Sequence, residues 1–307
     1  MIITRAPYRI SFFGGGSDYE AWYRDHGGCV LTSTIDKYCY LSARWMSPFL
    51  GGRYRIMWSK MENVNERSEI EHSGVRGCLE YLGIDQGFEV NHAGDLPARS
   101  GLGSSSAFTV AMLNALHALR GEHAGRYQLA REAIEVEQRV LRETVGIQDQ
   151  IECAYGGLNV IRIDRGGLWR VEPVILKPER LEEFRSSLML FFTGLQRHAS
   201  EIAQTQIANF GTKAPQLNRM MAMVDEAPRV LCGDGSLDYF GELLNEGWSL
   251  KRGMSDWVSN AEINGIYARA LAAGALGGKL LGAGGGGFML FFVRPELQPN
   301  VRSALAD

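Results

Sequence analysis

The sequence has few of the features that mark secreted, membrane-bound or zinc-binding proteins. Its 307 residues include only five cysteines, which are scattered and form no C-x-x-C pair, so neither a disulfide framework nor a zinc site is indicated. No apolar run approaches the roughly 18 residues that span a bilayer. Arg5 and Arg9 interrupt the apolar start of the chain, whereas a signal peptide has a continuous apolar stretch. We therefore expect a cytoplasmic protein with no membrane partner.

An excess of charge of one sign is also lacking. The 32 Lys and Arg residues nearly balance the 35 Asp and Glu residues, which leaves a formal net charge of -3 at pH 7. A chain with so small a net charge has no overall field that would attract nucleic acid. Any anionic ligand must therefore be held by a local group of residues. Nine dispersed prolines and the lack of internal repeats give no sign of a long linker or a repeat architecture.

Glycine, in contrast, is abundant and clustered. The 37 glycines among 307 residues are about 12% of the chain, against a usual share of about 7%. They gather at residues 14–16, at Gly101 and Gly103, and at residues 282–287, each time beside apolar segments. A flexible linker would not be flanked in this way. Because glycine allows the backbone to come close to a ligand, these three clusters are candidate ligand-binding loops.

Strand and helix patterns are mixed along the chain without the regular alternation of a doubly wound sheet, which favours an α+β fold. Residues with high strand propensity predict strands over residues 2–11 and 29–43. Apolar residues at helical spacing predict a buried helix that begins at Ser104 or Ser105, with the serines as its cap, and a second helix over residues 126–143. A change of pattern near residues 178–186 predicts two domains, residues 1–183 and 184–307.

The segment LPARSGLGSSSA, residues 96–107, places two glycines and three serines directly before the predicted buried helix. A helix start has about four unpaired N–H groups and about half a positive charge, so it stabilises a phosphate without any lysine. Serine hydroxyl groups can also bind Mg2+. The alternative is an ordinary serine-capped helix after a glycine turn. The segment lacks the lysine of the G-x-x-x-x-G-K-[ST] loop, which disfavours that class of nucleotide-binding protein.

Three charged residues are candidates for catalysis or metal binding. Glu137 falls on the apolar face of the second predicted helix, where a bound cation would offset the cost of burying a carboxylate, and the alternative is pairing with an arginine or with helix N–H groups. Glu132, on the same helix, is expected on its solvent side. Asp149 lies in the turn GIQDQ, where it either caps the next helix or orients or deprotonates an attacking hydroxyl group. Arg9 lies in an apolar strand and needs an anionic partner, either an Asp or a phosphate.

Two glycine-containing segments are candidates for substrate contact. In FFGGGSDY, residues 12–19, Asp18 falls where the chain turns. Asp and Gly are ordinary turn residues, but a carboxylate also accepts hydrogen bonds from sugar hydroxyl groups. In KLLGAGGGGFMLFF, residues 279–292, four consecutive glycines lie between two apolar strands. Such a loop can wrap around an anion or close over a substrate, and the alternative is a tight buried hairpin.

In this order, the segments resemble the three motifs of the GHMP kinase superfamily: RAPYRISFFGGGSD at residues 5–18, the segment at residues 97–107, and GAGGGGF at residues 282–288. The resemblance covers about residues 4 to 293. Within the superfamily, GGGSD at 14–18, TIDKY at 34–38, FTGLQR at 192–197 and GWSLKR at 247–252 resemble the D-glycero-D-manno-heptose 7-phosphate kinases. Galactokinase-like members usually show G-E-H-T-D-Y, and the Gly15-Gly16-Ser17 found here argues against galactose.

The resemblance implies an N-terminal domain like the second domain of ribosomal protein S5 and a ferredoxin-like C-terminal domain, with the active site between them. It implies an ATP- and Mg2+-dependent kinase that phosphorylates the anomeric hydroxyl group of heptose 7-phosphate. By the same similarity Arg9 and Asp149 are catalytic, and Ser104, Ser105 and Glu137 hold Mg2+. The residues implied to bind ATP are Pro97, Ser100, Gly101, Leu102, Gly103, Ser104, Ser105 and Ser106. The residues implied to bind the sugar are Gly15, Gly16, Ser17, Asp18, Asp36, Arg197, Lys251, Gly284, Gly285 and Gly286.

A phosphorylated sugar needs a cation of its own, and Arg197, Lys251 and Arg252 are the candidates. Two alternatives remain open. One is another sugar 1-kinase, fucokinase-like or galactokinase-like, and the other is a non-catalytic sugar or nucleotide sensor. The sensor is disfavoured because it has no use for a base beside Mg2+. The sequence is compatible with a homodimer but does not determine the oligomeric state. The chain stops soon after Val293, whereas these kinases commonly continue to a further strand, which is compatible with a missing C-terminal piece.

Overall fold

The computed structural model describes residues 1–47, 49, 51–195 and 199–306. Within these residues, strands and helices are mixed in order, which confirms the expected combination of both kinds of element. The strands are β1 (Ile2–Phe13), β2 (Gly28–Trp45), β3 (Tyr54–Met57), β4 (Met61–Val64), β5 (Phe88–Gly94), β6 (Leu158–Ile163), β7 (Trp169–Pro173), β8 (Leu188–Phe192), β9 (Gly277–Leu280) and β10 (Phe288–Phe292). The helices are α1 (Glu20–His26), α2 (Ser73–Tyr81), α3 (Ser104–Leu119), α4 (Arg126–Glu135), α5 (Gln148–Tyr155), α6 (Pro178–Ser186), α7 (Ala199–Ala208), α8 (Ala214–Cys232), α9 (Asp238–Arg252), α10 (Ala261–Ala272) and α11 (Gln298–Ala304).

The chain divides into two compact units. The first comprises Met1–Arg9, Thr34–Ala98 and Gly103–Gly156. In it, the second half of β2 pairs antiparallel with β5, with Trp45 opposite Phe88. β5 pairs in parallel with β3, and β3 pairs antiparallel with β4. Helices α2 to α5 complete this unit.

Helix α3 is the most buried helix of the first unit. Eleven of its 16 residues are buried, including every residue from Ser106 to Leu113. A helix that is apolar on all sides must lie inside a core, which is why its burial could be predicted from the sequence. The helix begins at Ser104, as predicted. The hydroxyl group of Thr4, on β1, donates to the carbonyl oxygen of Ala111 at 2.9 Å and ties the strand to the middle of the helix.

The second predicted helix changes geometry halfway. Its α-helical part, α4, ends at Glu135 and continues as a π-helical turn over Val136–Val140. In this turn the N–H of Leu141 donates to the carbonyl oxygen of Val136, five residues back, at 2.8 Å. Such turns are rare and are frequently found at functional sites. The turn contains Glu137, one of the predicted site residues.

The second unit comprises Ile10–Ser33, Arg99–Leu102 and Gly157–Asp307. Here the first half of β2 pairs antiparallel with β6, and β6 pairs with β7. A separate antiparallel sheet has the order β8-β10-β9. A hydrophobic core cluster of the second unit includes Trp248, Val258 and Phe291, each at most 1% exposed. The two apolar strands expected on either side of the glycines in residues 279–292 are present as β9 and β10, with Leu280 opposite Met289.

The predicted domain boundary between residues 183 and 184 remains a prediction. None of the helices in the described ranges combines the length and the apolar character that crossing a bilayer requires.

Candidate active site

Arg9 and Asp149 form an ion pair in the first unit. Nε of Arg9 donates to Oδ1 of Asp149 at 2.6 Å, and Nη2 donates to Oδ2. A two-contact pair fixes the relative orientation of both groups. Arg9 is only 4% exposed, whereas the side chain of Asp149 is 24% exposed. The carboxylate is thus held by a buried guanidinium group and still has access to solvent, and the anionic partner that the sequence required for Arg9 is Asp149.

Asp149 lies in the first turn of α5. The residue at the N-cap position is Ile147, and no side chain caps the helix. Asp149 therefore does not serve as the helix cap, which was the alternative to a catalytic role. A carboxylate in a first helical turn is stabilised by the helix dipole, so the position is a favourable one for an ionised group.

The start of α3 approaches Arg9 closely. Its N-cap residue is Gly103, which has the left-handed backbone angles φ 72° and ψ 28°, and no side chain caps the helix. The predicted serine cap is therefore wrong: the serines lie inside the first turn, beyond the cap position. A Cβ atom at Gly103 would lie 2.9 Å from Cγ of Arg9. Only glycine allows this approach, and it places the polar helix start beside the Arg9–Asp149 pair.

The three serines of this turn differ in environment. Ser105 is exposed and Ser104 is partly exposed, while Ser106 is 1% exposed. The hydroxyl group of Ser106 donates to Oε2 of Glu137 at 3.0 Å. The contact with Glu137 is thus made by Ser106, which the sequence analysis assigned to ATP binding but not to the metal. The assignment of Ser104 and Ser105 to the metal stays a prediction.

Glu137 is 1% exposed. Its Oε2 accepts a second hydrogen bond from Nε2 of Gln150, while Oε1 has no hydrogen-bond partner among the described residues. The pKa of this carboxyl group is raised to about 8, mainly by burial and in part by the nearby Glu143, while hydrogen bonds from Gln150, Thr109 and Ser106 oppose the shift. An ionised carboxylate in this position lacks a compensating charge, which is the condition that a bound cation would relieve.

The surroundings of Glu137 fit Mg2+ better than a metal held only by protein side chains. Within the described ranges, no group of three or more His, Cys, Asp or Glu side chains could hold a metal ion. Mg2+ commonly takes one or two protein carboxylates and completes its shell with water and phosphate oxygens. The unpartnered Oε1 of Glu137, next to a helix start that stabilises phosphate, supplies one such carboxylate.

In the second unit, Ser100 and Gly101 pack against the C-terminal glycine loop. The N–H of Phe288 donates to the carbonyl oxygen of Ser100 at 3.1 Å. A Cβ atom at Gly101 would lie 2.4 Å from the carbonyl oxygen of Leu281, and one at Gly287 would lie 2.4 Å from that of Ser100. Both glycines also have positive φ angles, 79° and 106°. The close approach of these glycines is thus made between two backbone segments, and the predicted approach to a ligand stays a prediction.

The glycines predicted to contact the sugar are packed in the same way. The N–H of Gly285 donates to the carbonyl oxygen of Val258 at 3.0 Å. A Cβ atom at Gly284 would lie 2.8 Å from Val258, and one at Gly286 would lie 2.6 Å from the carbonyl oxygen of Leu195. The backbone of the loop is thus fixed from one side. Its contact with a sugar stays a prediction.

The N-terminal turn at residues 14–18 is held by its own side chains. Asp18 is 1% exposed, and its Oδ1 accepts the N–H of Gly16 at 3.0 Å. Oγ of Ser17 lies 2.8 Å from the carbonyl oxygen of Gly14 and accepts the N–H of Cys29 at 3.1 Å. Ser17 therefore stabilises the turn, while Gly15 is partly exposed.

The remaining predicted residues have varied positions. Pro97 and Asp36 are exposed, and Leu102 is fully buried. Lys251 is 7% exposed, and its Nζ donates to the carbonyl oxygen of Gly282. Its ammonium group is thus bound to the glycine loop. Arg197 lies outside the described residues.

Sequence reasoning missed Gln150 and Lys279. Gln150 is fully buried beside Asp149 and donates to Glu137. Gln150 belongs to the motif GIQDQ, but a glutamine in a turn gives no sequence signal of a functional role. Lys279 is 5% exposed, and its Nζ donates to the carbonyl oxygens of Ser11 and Phe12 at 2.7 and 2.8 Å. A lysine in an apolar strand was the available signal.

Glu132 was expected on the solvent side of its helix, and this prediction is wrong. It is 5% exposed, and its Oε2 lies 2.7 Å from Nε2 of His117 on α3. The other ring nitrogen of His117 lies 2.8 Å from a carboxylate oxygen of Glu122. The polar partner that makes burial of Glu132 tolerable is a histidine on another helix, which periodicity along α4 alone cannot reveal.

Comparison with known proteins identifies the family to which this chain belongs. The GHMP kinases N terminal domain matches residues 72–157, and the GHMP kinases C terminal domain matches residues 223–307. A D-glycero-alpha-D-manno-heptose 7-phosphate kinase of Campylobacter jejuni subsp. jejuni serotype O:2 is 29% identical over 99% of this chain and 93% of its own length. A galactokinase of Pyrococcus furiosus is 25% identical, with 99% of this chain and 92% of the relative covered.

Among solved structures, a D-glycero-D-manno-heptose 1-phosphate kinase from Bacteroides thetaiotaomicron has 27% sequence identity and a TM-score of 0.81, with 99% of this chain and 92% of that chain covered. The two matched domain segments together span more than half of the 307 residues, and they contain Glu137, Asp149 and the C-terminal glycine loop. The chain therefore belongs to the GHMP kinase family, and it is an ATP-dependent kinase that acts on a hydroxyl group.

Proposed function

We propose that the protein transfers the γ-phosphoryl group of ATP to the anomeric hydroxyl group of D-glycero-D-manno-heptose 7-phosphate, which gives the 1,7-bisphosphate. Two similar proteins, from Campylobacter jejuni and Bacteroides thetaiotaomicron, are described as heptose phosphate kinases, and each aligns with 99% of this chain. The segments GGGSD, TIDKY, FTGLQR and GWSLKR of this sequence support the same substrate class.

The observation that carries the proposal is the connection between Asp149 and Glu137. The adjacent residue Gln150 donates to Oε2 of Glu137, and Ser106 at the start of α3 donates to the same oxygen. Arg9 contacts Asp149 and lies against Gly103. The candidate base and the candidate metal ligand are thus held at the same helix start, within one compact unit.

Phosphoryl transfer requires positioning and charge stabilisation more than covalent chemistry by the protein. A bond forms between the acceptor oxygen and the γ-phosphorus, the bond from that phosphorus to the bridging oxygen of ADP breaks, and the acceptor hydroxyl group loses its proton. A carboxylate has about four acceptor positions, so Asp149 can accept this hydroxyl group while it remains paired with Arg9. It then either removes the proton or orients the hydroxyl group for attack.

Glu137 is the residue that we propose to hold Mg2+, together with a serine hydroxyl group from Ser104, Ser105 or Ser106. Mg2+, when bound, neutralises charge on the ATP phosphate oxygens. The backbone N–H groups of residues 101–106 would bind the same phosphates, since a helix start stabilises anions. The unpartnered Oε1 of Glu137 supports this arrangement.

A panel of acceptors incubated with Mg2+ and ATP tests the proposal. The panel contains heptose 7-phosphate, the unphosphorylated heptose, fucose, galactose and mevalonate, and ADP release gives kcat/KM for each. We expect the highest value for heptose 7-phosphate, and we expect phosphorus NMR to place the new phosphate on the anomeric carbon. Turnover of fucose or galactose alone would show that the acceptor is that sugar and not heptose 7-phosphate. Absence of turnover with every acceptor would favour the sensor alternative.

We also propose a cytoplasmic location, because the reaction consumes ATP. A homodimer stays a prediction, which light scattering of the purified protein tests.

A further inference from the structure

We propose that a polar pocket of the second unit binds the phosphate group that the acceptor already carries. The pocket has a volume of about 380 Å³ and lies at the end of α9, in the loop that follows, and at the start of α10. This inference rests on the proposed function, because it assumes a phosphorylated sugar as the acceptor. The lining residues used below are Ser249, Arg252, Ser255, Asp256, Ser259 and Asn264.

Arg252 supplies the positive charge of the pocket. Its guanidinium carbon lies 5.8 Å from the ring centres of both Trp248 and Tyr267. Its Nη1 donates to Oδ1 of Asn264 at 3.1 Å. These contacts hold the planar group in place before any ligand binds, and a fixed arginine fork matches the geometry of a phosphate.

Arg252 has no carboxylate partner among the described residues, and its Nε is buried without a hydrogen bond. Two other partly buried arginines of this chain, Arg162 and Arg219, are paired with carboxylates. Arg162 contacts Asp225 at 2.6 Å, and Arg219 contacts Glu246 at 2.7 Å. A guanidinium group that is partly removed from water and not neutralised is a natural site for an anionic ligand.

The other polar groups of the pocket are suited to an anion. Oδ1 of Asn264 accepts from Arg252 and also from the hydroxyl group of Ser259 at 2.9 Å. Its amide nitrogen therefore remains as the donor of that side chain, and Ser249 adds a hydroxyl group. Asp256 is the acidic residue of the lining, but it is exposed. Water and salt screen an exposed carboxylate, so it opposes anion binding only weakly.

Backbone contacts connect the pocket to the C-terminal glycine loop within the same unit. Val258, which directly precedes Ser259, accepts the N–H of Gly285 at 3.0 Å. On the other side, Lys251 donates to the carbonyl oxygen of Gly282. The ammonium group of Lys251 is thus committed to the loop, and the next residue, Arg252, is the cation left to line the pocket.

The test compares two acceptors, heptose 7-phosphate and the same heptose without the phosphate. The variants are Arg252→Gln, which removes the charge, and Arg252→Lys, which keeps the charge but not the fork. Arg269→Gln, an exposed arginine on α10, is the matched control. Hydrogen bonds to a charged group contribute enough that we expect the ratio of kcat/KM values, phosphorylated over unphosphorylated, to fall by about 10- to 100-fold in Arg252→Gln. The fall should be smaller in Arg252→Lys and absent in the control.

Calorimetric binding of heptose 7-phosphate in the absence of ATP provides a readout that does not depend on turnover. We expect weaker binding by Arg252→Gln, by a factor similar to the change in the kcat/KM ratio. Equal losses with both acceptors would show a merely structural role, and an unchanged ratio in a folded variant would also overturn the inference. If the wild-type protein turns over only unphosphorylated sugars, the proposed function fails first, and the phosphate pocket falls with it.

Discussion

Arg9 and Asp149 meet through two N–H···O contacts although 140 residues separate them in the chain. The pair joins the first strand to the first turn of α5, and Gly103 at the start of α3 lies against the arginine. Three separate elements therefore meet at this ion pair. The catalytic prediction follows from this convergence, since Asp149 is the member of the pair with access to solvent.

Replacement of Asp149 by Asn should lower kcat by at least about 100-fold, because an amide cannot act as a base and changes the contact with Arg9. ATP affinity should change by less than about threefold, as expected for a group that acts mainly in the transition state. Steady-state kinetics and ATP titration measure both quantities. Asp25→Asn, at an exposed position on α1, serves as the control. Unchanged turnover in Asp149→Asn would remove Asp149 from the mechanism.

Replacement of Gly103 by Ala should affect catalysis through Arg9. Gly103 and Gly121 both have positive φ angles, 72° and 76°, so alanine at either position should cost about 1 kcal/mol of stability. A new Cβ atom at Gly103 would lie 2.9 Å from Arg9, whereas at Gly121 no atom lies within 4 Å. We expect kcat to fall by about 10-fold or more in Gly103→Ala only. Similar kcat values for the two variants would show that the Arg9 contact has no catalytic consequence.

The sequence allowed prediction where a residue type is physically restrictive at its position. A buried arginine in a strand requires an anion, and two glycines before an apolar helix indicate close backbone approach. These arguments identified Arg9, Gly101, Gly103 and the start of α3, as well as the burial of Glu137. They could not choose Asp149 as the partner of Arg9 over a bound phosphate, because that choice depends on contacts between distant parts of the chain.

The features that were not predicted have weak or ambiguous signals in the sequence. The π-helical turn at Glu137 arises from a shift of backbone hydrogen bonds, which no residue type marks reliably. Glu132 has a charged side chain at a helical position that fits a solvent-facing site, and only its contact with His117 explains its burial. Gln150 is important because of what it contacts, and a glutamine alone does not indicate that contact.

His117 should stabilise the fold in a pH-dependent way. Burial by itself lowers the pKa of its imidazole group, but the hydrogen bonds that the ring donates to Glu132 and Glu122, together with the charges of these carboxylates, outweigh burial, and the net shift is upward. The stabilisation is therefore fully present below the unfolded pKa of about 6.5 and is lost as the pH rises through the higher folded value. We expect His117→Gln to lower the free energy of unfolding by about 1–3 kcal/mol near pH 6 and by less near pH 9.

Urea unfolding at the two pH values measures this effect. His123→Gln is a suitable control, because His123 is exposed and lies beyond α3, which ends at Leu119. Its effect on stability should be small at both values. An equal loss of stability at both pH values in His117→Gln would show that the imidazole group acts through packing and not through its charge.

Glu137 should lower the stability of the ligand-free protein at neutral and alkaline pH. Its pKa is about 8 in the folded protein because the carboxyl group is buried, against 4.5 as the ordinary value. Below about pH 4.5 the group is protonated in both the folded and the unfolded state, so it has no pH-dependent effect. Between the two values the unfolded chain releases the proton that the folded protein retains, and the free energy of unfolding falls as the pH rises. Above about pH 8 the folded protein carries the full cost of a buried carboxylate.

Glu137→Gln keeps the shape of the side chain but cannot ionise, so it avoids this cost. Without Mg2+ and ATP we expect the variant to be more stable than the wild type near pH 9, by on the order of a few kcal/mol, and the difference to approach zero near pH 4.5. Urea unfolding across this range measures the difference, with Glu135→Gln, at an exposed position on α4, as the control. Mg2+ and ATP should then stabilise the wild type more than the variant, because only the wild type offers a carboxylate to the metal. A variant less stable than the wild type at high pH would mean that the carboxylate is already compensated within the fold, and the case for a metal ligand at this position would be lost.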